Sequence, residues 1–219
     1  MTRGILIAGI ESHLSAAIAA EAAKRVDRYA AAFIPNRLTE AVRDKTSAHI
    51  ESTSLIPITW NPGSPISART LVLAAQNRLE RIDDAILVCT PPMVRKQVDE
   101  LAPGEIETIV NDHIKGWFFL AKELSAAFKA KNTGTLALVL LDQSIEGDLL
   151  GPSVAASFRA FAQGLLSNAA GKPYSTMAFS TETGDFTEFA AFIFKNIDES
   201  GKKTIGKWQK FGKLGFFGR

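Results

Sequence analysis

Short runs of consecutive apolar residues alternate along the chain with longer stretches in which apolar residues recur at helical spacing. Consecutive apolar residues indicate strands buried on both faces, as in parallel sheets covered by helices. Such runs predict strands at residues 4–9, 29–34, 54–60, 84–89, 135–141 and 175–180. Pro57 has no N–H to donate, so the third strand is expected at an edge of the sheet.

The longer stretches predict helices between these strands, at about residues 12–26, 38–45, 71–79, 104–131, 153–170 and 184–196. Alternating strands and helices are typical of a parallel sheet with helices on both faces. The predicted fold class is therefore α/β, a Rossmann-type three-layer sandwich with a mostly parallel, doubly wound sheet. No linker or repeat interrupts residues 1–212, which we expect to form a single domain, followed by a basic, aromatic tail at residues 213–219.

Composition narrows the class of protein without indicating a reaction. The chain has 219 residues, of which 46% are hydrophobic and 22% charged, a balance that supports a buried core and excludes global disorder. The formal net charge is +2, but residues 201–219 contain six Lys or Arg residues and no acid. Because the basic excess is confined to this segment, we expect no nucleic-acid partner.

The single cysteine and the first residues of the chain bear on its location. Cys89 has no second cysteine with which to form an internal disulfide, which favours a reducing compartment. We interpret it as a small buried apolar residue, and the alternative is a thiol at the mouth of the site. The apolar run at residues 5–10 is too short for a signal peptide or a membrane-spanning helix. We therefore expect a cytoplasmic protein.

Ligands of a doubly wound sheet bind at the carboxyl ends of the strands, near the point where the strand order reverses. After the first predicted strand the chain has only Gly9, whereas a dinucleotide site needs several glycines to bring backbone N–H groups against the pyrophosphate. Gly9 is interpreted as a tight turn or as part of a phosphate cradle. Ser12 is interpreted as a helix cap or as a phosphate donor, and Glu11 would repel a phosphate.

The order of predicted elements, from residue 4 to about residue 212, resembles that of the short-chain dehydrogenase/reductase (SDR) family. Where the family has Thr-Gly-x-x-x-Gly-x-Gly, the corresponding residues of this chain are Ala8, Gly9, His13 and Ser15. Where the family has Asn-Asn-Ala-Gly after the fourth strand, this chain has Cys89-Thr90-Pro91-Pro92.

The resemblance implies NAD or NADP as the cofactor that such a chain could bind. It places four residues of this chain at cofactor-binding positions, which are Gly9, Ser12, Arg37 and Thr90. Arg37 matches the position where NADP-preferring members hold a base for the 2′-phosphate. A second interpretation of Arg37 is an ordinary arginine at the start of a helix.

The resemblance also assigns catalytic positions. Asn111 matches the family asparagine that helps hold a proton-relay water, and Ser144 loosely matches the family serine, although Ser144 is also interpreted as a solvated turn serine. The family reaction needs a Tyr phenol and a Lys four residues later on one helix face. Those two positions are Ala155 and Arg159 in one register, or Val154 and Phe158 in the other, so neither register supplies a phenol. The candidate catalytic residues are thus Asn111, Ser144 and Arg159, although Arg159 is also interpreted as a solvent-facing helix residue.

Other site chemistries have less support. The family's Pro-Gly pair and substrate lid have no counterpart after the sixth predicted strand, which runs almost directly into the last helix. The three histidines, His13, His49 and His113, lack the spacing and carboxylate partners of a metal site, so no metal is expected.

Association with other molecules is expected on two surfaces. Trp117, Phe118 and Phe119 are consecutive, so some must point outward from a helix, and a second subunit is the simplest cover. SDR proteins commonly pair through the two helices that correspond to 104–131 and 153–170, which implies a homodimer or homotetramer. The basic, aromatic tail either packs on the body or a second subunit, or contacts an anionic surface; its glycines disfavour an amphipathic helix on a membrane.

The leading hypothesis is an SDR-like protein without ordinary dehydrogenase activity, a pseudoenzyme with a binding or regulatory role, which could pair with an active SDR partner. The alternative is an NAD(P)-dependent oxidoreductase with a rearranged site that uses Asn111, Ser144 and Arg159. A third hypothesis is binding to an anionic surface through residues 202–219.

Overall fold

One parallel sheet of seven strands organises the part of the chain that the structure, a computed structural model, describes: residues 3–35, 54–143, 148–199 and 206–212. The strands are β1 (Ile5–Ile10), β2 (Tyr29–Ile34), β3 (Leu55–Pro57), β4 (Asp84–Cys89), β5 (Thr135–Leu141), β6 (Ser175–Thr181) and β7 (Trp208–Phe211). They lie in the order β3-β2-β1-β4-β5-β6-β7, and all neighbouring pairs are parallel. The order reverses between β1 and β4, which is therefore the switch point.

Helices cover both faces of the sheet. They are α1 (His13–Ala23), α2 (Pro65–Leu79), α3 (Pro103–Val110), α4 (Gly116–Lys131), α5 (Leu150–Ser167) and α6 (Phe186–Asp198), with a short 3₁₀ helix at Val98–Glu100. A π turn at Asn111–Lys115 joins α3 to α4. The sequence predicts one uninterrupted helix at 104–131, and the structure corrects this to two α-helices separated by the π turn.

Two separate cores flank the sheet, because alternate side chains of each strand point to opposite faces. In β1, Leu6, Ala8 and Ile10 belong to the core under α2, α4 and α5, whereas Ile5 and Ile7 belong to the core under α1 and α6. Consecutive residues of the strand are therefore buried, as the apolar runs predict. The predicted fold class, a three-layer α/β sandwich with a doubly wound parallel sheet, is confirmed.

Two helices begin earlier than predicted, because their capping residues lie outside the apolar pattern. Helix α2 begins at Pro65, since the Ser64 side chain accepts a first-turn backbone N–H and proline suits the first helical position. Helix α5 begins at Leu150, since Asp148 accepts the backbone N–H groups of Leu150 and Gly151, both at 3.0 Å.

Strand ends also refine the prediction. β3 is only three residues long and lies at one end of the sheet, which confirms the edge position expected from Pro57. β1 continues to Ile10, so Gly9 lies within the strand and is not a turn residue. The helix predicted at 38–45 lies outside the described residues.

Ion pairs connect several elements at the amino-terminal edge of the sheet. Arg3 pairs with Asp84 at the start of β4 and with Asp198 at the end of α6, and Arg25 also pairs with Asp198. Asp83 pairs with Lys131 at the end of α4. These contacts tie the amino-terminal edge of the sheet to the ends of helices in both layers. Within the described residues, no helix is long and apolar enough to cross a membrane.

Candidate functional site

The candidate site lies at the carboxyl edge of the sheet, around the switch point between β1 and β4. Only Glu11 and Ser12 separate the end of β1 from the start of α1. Glu11 is exposed, and its backbone N–H donates to the Ile34 carbonyl at 2.8 Å, which continues the pairing with β2. The connection is therefore a short turn without a glycine.

Ser12 performs the capping role that the sequence predicts. Its Oγ accepts the backbone N–H of Ser15 at 3.1 Å, and the two hydroxyl oxygens lie 2.9 Å apart. The same Oγ lies 3.0 Å from Oγ1 of Thr90, the residue after β4. This contact, the hydroxyl bridge, joins the ends of the two strands that flank the switch point.

Gly9 serves a packing role between strands. A Cβ at this position would lie 2.6 Å from the Val88 carbonyl oxygen and 3.0 Å from the Val88 Cβ. Any side chain would therefore force β1 away from β4. The close approach that requires this glycine is therefore to protein backbone.

These residues do not fit the pyrophosphate cradle of a dinucleotide site. Such a cradle needs free backbone N–H groups in a glycine-rich turn at a helix N-terminus. Here the turn has two residues, the Ser12 hydroxyl already contacts Ser15 and Thr90, and the exposed Glu11 carboxylate adds a negative charge. The fourth predicted cofactor residue, Arg37, lies outside the described residues.

Asn111 begins the π turn, at the junction of α3 and α4. The backbone N–H of Gly116 donates to the Asn111 carbonyl five residues earlier. A Cβ on Gly116 would lie 2.5 Å from the Pro62 Cβ, so the turn packs directly on the loop after β3. π turns are rare in proteins, and those that occur lie frequently at functional sites. The turn is therefore the strongest local indication of function at Asn111.

His113, in the same π turn, is 2% exposed, and burial lowers the pKa of its imidazole to about 4. Its Nδ1 has no hydrogen-bond partner within the described part of the chain, and neither has the indole Nε1 of Trp60 or Trp117. The two indole rings are 5.6 Å apart. The imidazole is therefore neutral at physiological pH and is not a solvent-accessible base.

Arg159 reaches from α5 to the carboxyl end of β5. Its Nη2 donates to the carboxylate of Asp142, the first residue after the strand. Ala155, one turn earlier on the helix, is 5% exposed and packs into the core. Arg159 is therefore paired and is not an unattached surface arginine, whereas Ser144 lies outside the described residues.

Both tyrosines of the chain lie at the opposite edge of the sheet. Tyr29 is the first residue of β2 and is fully buried. Tyr174 precedes β6, and its hydroxyl donates to the Ser125 Oγ at 3.0 Å. Because the strands are parallel, each phenol is separated from the carboxyl edge by the length of a strand, about 20 Å.

The connection from β6 to α6 is short. Only Glu182–Asp185 separates the two elements, and the Asp185 side chain caps α6 by accepting the Glu188 backbone N–H at 3.1 Å. This agrees with the sequence prediction that the strand runs almost directly into the last helix. Cys89, at the end of β4, is fully buried, and burial raises the pKa of its thiol well above the ordinary range, which confirms its interpretation as a small buried residue.

The three-dimensional fold relates the chain to known structures, although no family model and no curated protein sequence matches it. Levodione reductase is similar with a TM-score of 0.76 and 12% identity, over 95% of each chain. The 3-ketoacyl-(acyl-carrier-protein) reductase of Brucella melitensis, complexed with NADH, is similar with a TM-score of 0.72 and 14% identity, over 95% of this chain and 96% of that chain. A short-chain dehydrogenase from Streptomyces avermitilis has a TM-score of 0.73 and 17% identity, over 97% of this chain and 89% of that chain.

The fold is that of the short-chain dehydrogenases/reductases. The resemblance drawn from the sequence is thus confirmed at the level of the SDR fold. The structure brings two of the cofactor positions that the resemblance implies, Ser12 and Thr90, into contact. A third, Gly9, lies within β1, directly before its last residue. Whether these residues contact a ligand stays a prediction.

Asp142 is the residue of this SDR-fold site that the sequence analysis did not single out. Its signal was its position directly after the strongly apolar strand at 135–141, at the carboxyl edge where ligand-binding residues of such sheets lie. Pairing with Arg159, 17 residues later, depends on the packing of α5 against the sheet. Among the described residues, no group of three His, Cys, Asp or Glu side chains is placed to hold a metal ion.

Proposed function

We propose that this SDR-fold protein does not carry out the ordinary dehydrogenase reaction and acts as a binding or regulatory protein. The observation that carries the proposal is the position of its phenols. The reaction of this fold needs a phenol at the carboxyl edge to transfer a proton. Tyr29 and Tyr174 both lie at the amino-terminal edge, and the position that the resemblance assigns to the phenol in α5 is Ala155 in one register and Val154 in the other, both of them buried.

The charges at the site support the same proposal. The Arg159 guanidinium donates to Asp142, so its charge is compensated within the protein. Arginine also stays protonated at physiological pH and cannot exchange the proton that a relay needs. At the switch point, the hydroxyl bridge between Ser12 and Thr90 and the exposed Glu11 do not favour a pyrophosphate.

Thermal unfolding with NADH and with NADPH tests the proposal. We expect no stabilisation by either nucleotide, whereas a ligand at 100 times its Kd would add about 2.7 kcal/mol. Ser12→Gly combined with Glu11→Gly serves as the matched variant, because it restores two glycines to the turn. A shift gained only by this variant would support the proposal that the natural turn disfavours the nucleotide.

The alternative is an NAD(P)-dependent oxidoreductase with a rearranged site that uses Asn111, Ser144 and Arg159. Its support is the π turn at Asn111 and the fold shared with a reductase that was complexed with NADH. Stabilisation of the natural chain by NADH or NADPH, together with hydride transfer to a carbonyl substrate that Arg159→Ala abolishes, would replace the proposal by this alternative.

We further propose that the chain forms a homo-oligomer through α4 and α5. Phe118 on α4 is 56% exposed, and its ring lies 4.7 Å from that of Phe161 on α5. Exposed apolar side chains continue along α3 at Ile106 and Val110. An apolar surface shared by neighbouring helices is suited to burial against a second copy.

Light scattering after size-exclusion chromatography measures this association. Phe118→Asp is expected to lower the mass to that of one chain, whereas Leu73→Asp, at a 49% exposed position on α2, leaves it unchanged. A monomeric natural chain would contradict the homo-oligomer. Recovery of a dimer only after addition of an active SDR protein would favour a mixed assembly instead.

A further inference from the structure

Two apolar residues of α3 lie on the surface although their spacing along the chain assigns them to the core. Val110, Trp117 and Leu124 are seven residues apart, and seven residues of an α-helix make almost two complete turns. A continuous α-helix would therefore place all three on one face. Trp117 and Leu124 are buried, whereas Val110 is 37% exposed. Ile106 is 46% exposed, although His113, seven residues later, is buried.

The π turn at Asn111–Lys115, which begins directly after Val110, accounts for this difference. A turn closed by a hydrogen bond between residues five apart holds one residue more than an α-helical turn, so it rotates α3 by about 100° relative to α4. The buried residue of α3 is accordingly Ile109, one position before Val110. The π turn thus moves Ile106 and Val110 from the core face to the surface.

The rotated residues join Phe118 in one apolar stripe. Ile106, Val110, Ile114 and Phe118 follow one another at intervals of four residues across α3, the π turn and α4. Ile114 is half-buried, and the other three are exposed. Because Phe118 also contacts Phe161 of α5, this surface, the α3–α4 stripe, is continuous with the surface proposed above for the homo-oligomer.

The α3 half of the stripe carries negative charge. α3 contains two acids, Glu105 and Glu107, and no Lys or Arg. Glu105 is paired with Lys96. Glu107 is exposed and forms no ion pair within the described part of the chain. Glu107 is therefore the acid that a partner would meet on this half.

The α4 half of the stripe carries positive charge. Lys122 lies one turn after Phe118, and its side chain is 78% exposed. Lys129, two turns further along, is also exposed, as is Lys115 near the middle of the stripe. The acid on this half, Glu123, is 21% exposed and contacts Lys122 at 3.2 Å. Three bases and one acid give this half a net positive charge.

A second copy of the chain in antiparallel orientation matches both the apolar residues and the charges. With a two-fold axis at Ile114, Phe118 of each copy lies opposite Val110 of the other, because both are four residues from the axis. Glu107 of each copy then lies beside Lys122 of the other. A parallel arrangement would instead place like charges opposite each other.

We propose that the π turn serves an interface between copies: it presents Ile106 and Val110 to a second copy, which packs antiparallel on the α3–α4 stripe with its Phe118 opposite Val110. This inference rests on the proposed homo-oligomer and goes beyond it, because it names the register of the two copies and assigns the π turn to their contact. Phe118 of the second copy then borders the turn that carries Asn111, so each copy covers part of the other's candidate site.

Disulfide formation tests the register in the full chain. Ile114→Cys places a thiol of each copy at the axis, where the Cα atoms can approach to the distance of about 6 Å that a disulfide needs. We expect oxidation to convert this variant into a covalent dimer. Ile106→Cys is the matched control and should stay unlinked, because its two thiols would lie about 24 Å apart along the helices. Cys89 is fully buried and does not compete.

Exchange of charge provides the second arm, with the dimer dissociation constant measured by sedimentation equilibrium. Glu107→Lys and Lys122→Glu each place like charges opposite each other twice per dimer, and each should raise the dissociation constant about tenfold. The two changes combined restore opposite charges and should return it to within about threefold of the natural value. Asp27→Lys, at an exposed position of the amino-terminal edge, is the control and should leave it unchanged.

The outcomes separate this inference from the homo-oligomer on which it rests. A natural chain that dimerises, while Ile114→Cys stays unlinked and the combined charge variant is no tighter than the single ones, would overturn the inference alone. A natural chain that is monomeric at all concentrations would overturn both. Monomers retained on vesicles of phosphatidylcholine and phosphatidylserine, and released by Ile106→Asp, would assign the stripe to a membrane surface instead.

Discussion

The two edges of the sheet differ in how their charges are compensated. At the amino-terminal edge, Asp83, Asp84 and Asp198 each pair with at least one arginine or lysine. At the carboxyl edge, Glu11 and Glu182 are exposed on connections whose described residues contain no base. The first edge is a set of ion pairs that joins secondary-structure elements, whereas exposed charges of both signs, such as Glu11 and Arg95, lie on the connections that follow the strands at the second.

This contrast explains why the cavity of about 380 Å³ at the amino-terminal edge is a weaker candidate site. It is lined by Arg3, Asp83, Asp84 and Asp198, and each of these carboxylates pairs with Arg3 or with a cation outside the lining, Lys131 or Arg25. A ligand would have to displace those contacts. Stability and function are thus assigned to different ends of the same strands.

The largest expected effect is a dependence of the free energy of unfolding on pH. Burial lowers the pKa of His113, in the π turn, to about 4 from an ordinary value near 6.5. Between these pH values the unfolded chain binds a proton that the folded chain excludes, so the free energy of unfolding falls by about 3 kcal/mol as the pH drops. Urea unfolding across this pH range measures the slope.

His113→Gln is the control for this slope, because glutamine does not titrate. The variant should unfold with little pH dependence between about 6.5 and 4. The acids of the amino-terminal edge shift in opposite directions. Burial raises the pKa of Asp83, but hydrogen bonds from Lys131 and the Gly4 backbone bring it below its ordinary value, whereas burial leaves the pKa of Asp84 raised, which stabilises the fold as the pH falls. A slope that persists in His113→Gln would assign the titration to other groups.

A second prediction concerns a variant that removes ion pairs from the amino-terminal edge. Arg3→Ala leaves the carboxylate of Asp84, whose side chain is 5% exposed, without its ion-pair partner. Burial raises the pKa of Asp84, so the loss of Arg3 should cost about 2 kcal/mol of unfolding free energy, less than a fully buried pair because Arg3 is 31% exposed. Arg28→Ala, at an exposed position of the same edge, should change it little. Equal losses of unfolding free energy in the two variants would contradict the structural role assigned to this edge.

A third prediction concerns the hydroxyl bridge at the switch point. Ser12→Ala removes both the cap of α1 and the contact with Thr90, and should cost about 1 kcal/mol or more. Ser64→Ala, which removes the equivalent cap of α2, is the matched control. In a double-mutant cycle with Thr90→Val, a coupling of about 0.5 kcal/mol is expected for the bridge. A coupling of zero would mean that the two hydroxyls contribute independently.

The smallest effect is expected at the carboxyl-edge ion pair. Arg159 is 38% exposed and Asp142 is 21% exposed, so solvent screens their attraction. Arg159→Ala should cost less than about 1 kcal/mol of unfolding free energy, below the cost of Arg3→Ala. If Arg159→Ala were the more destabilising of the two, the assignment of stability to the amino-terminal edge would be wrong.

Much of the fold could be predicted from the chain alone, because its signals are local. Residues 136–141 are apolar at every position, as a strand buried on both faces requires. Pro57 marked an edge strand through its missing N–H. Ser12 marked the start of α1 through a contact only three residues long. The π turn was missed, because its signature is the hydrogen bond from the Gly116 N–H to the Asn111 carbonyl five residues earlier, and the apolar residues at 104–131 were interpreted as one helix.

The sequence by itself determined the fold class, the absence of a phenol in either register of the α5 segment and the basic character of residues 213–219, since these follow from residue types and their spacing. Only the tertiary structure decided that Arg159 pairs with Asp142, that Ser12 meets Thr90 across 78 residues, and that both tyrosines lie at the amino-terminal edge. The physical reason is that strand order and helix packing bring together residues distant along the chain, and neither is encoded in the residues adjacent to them.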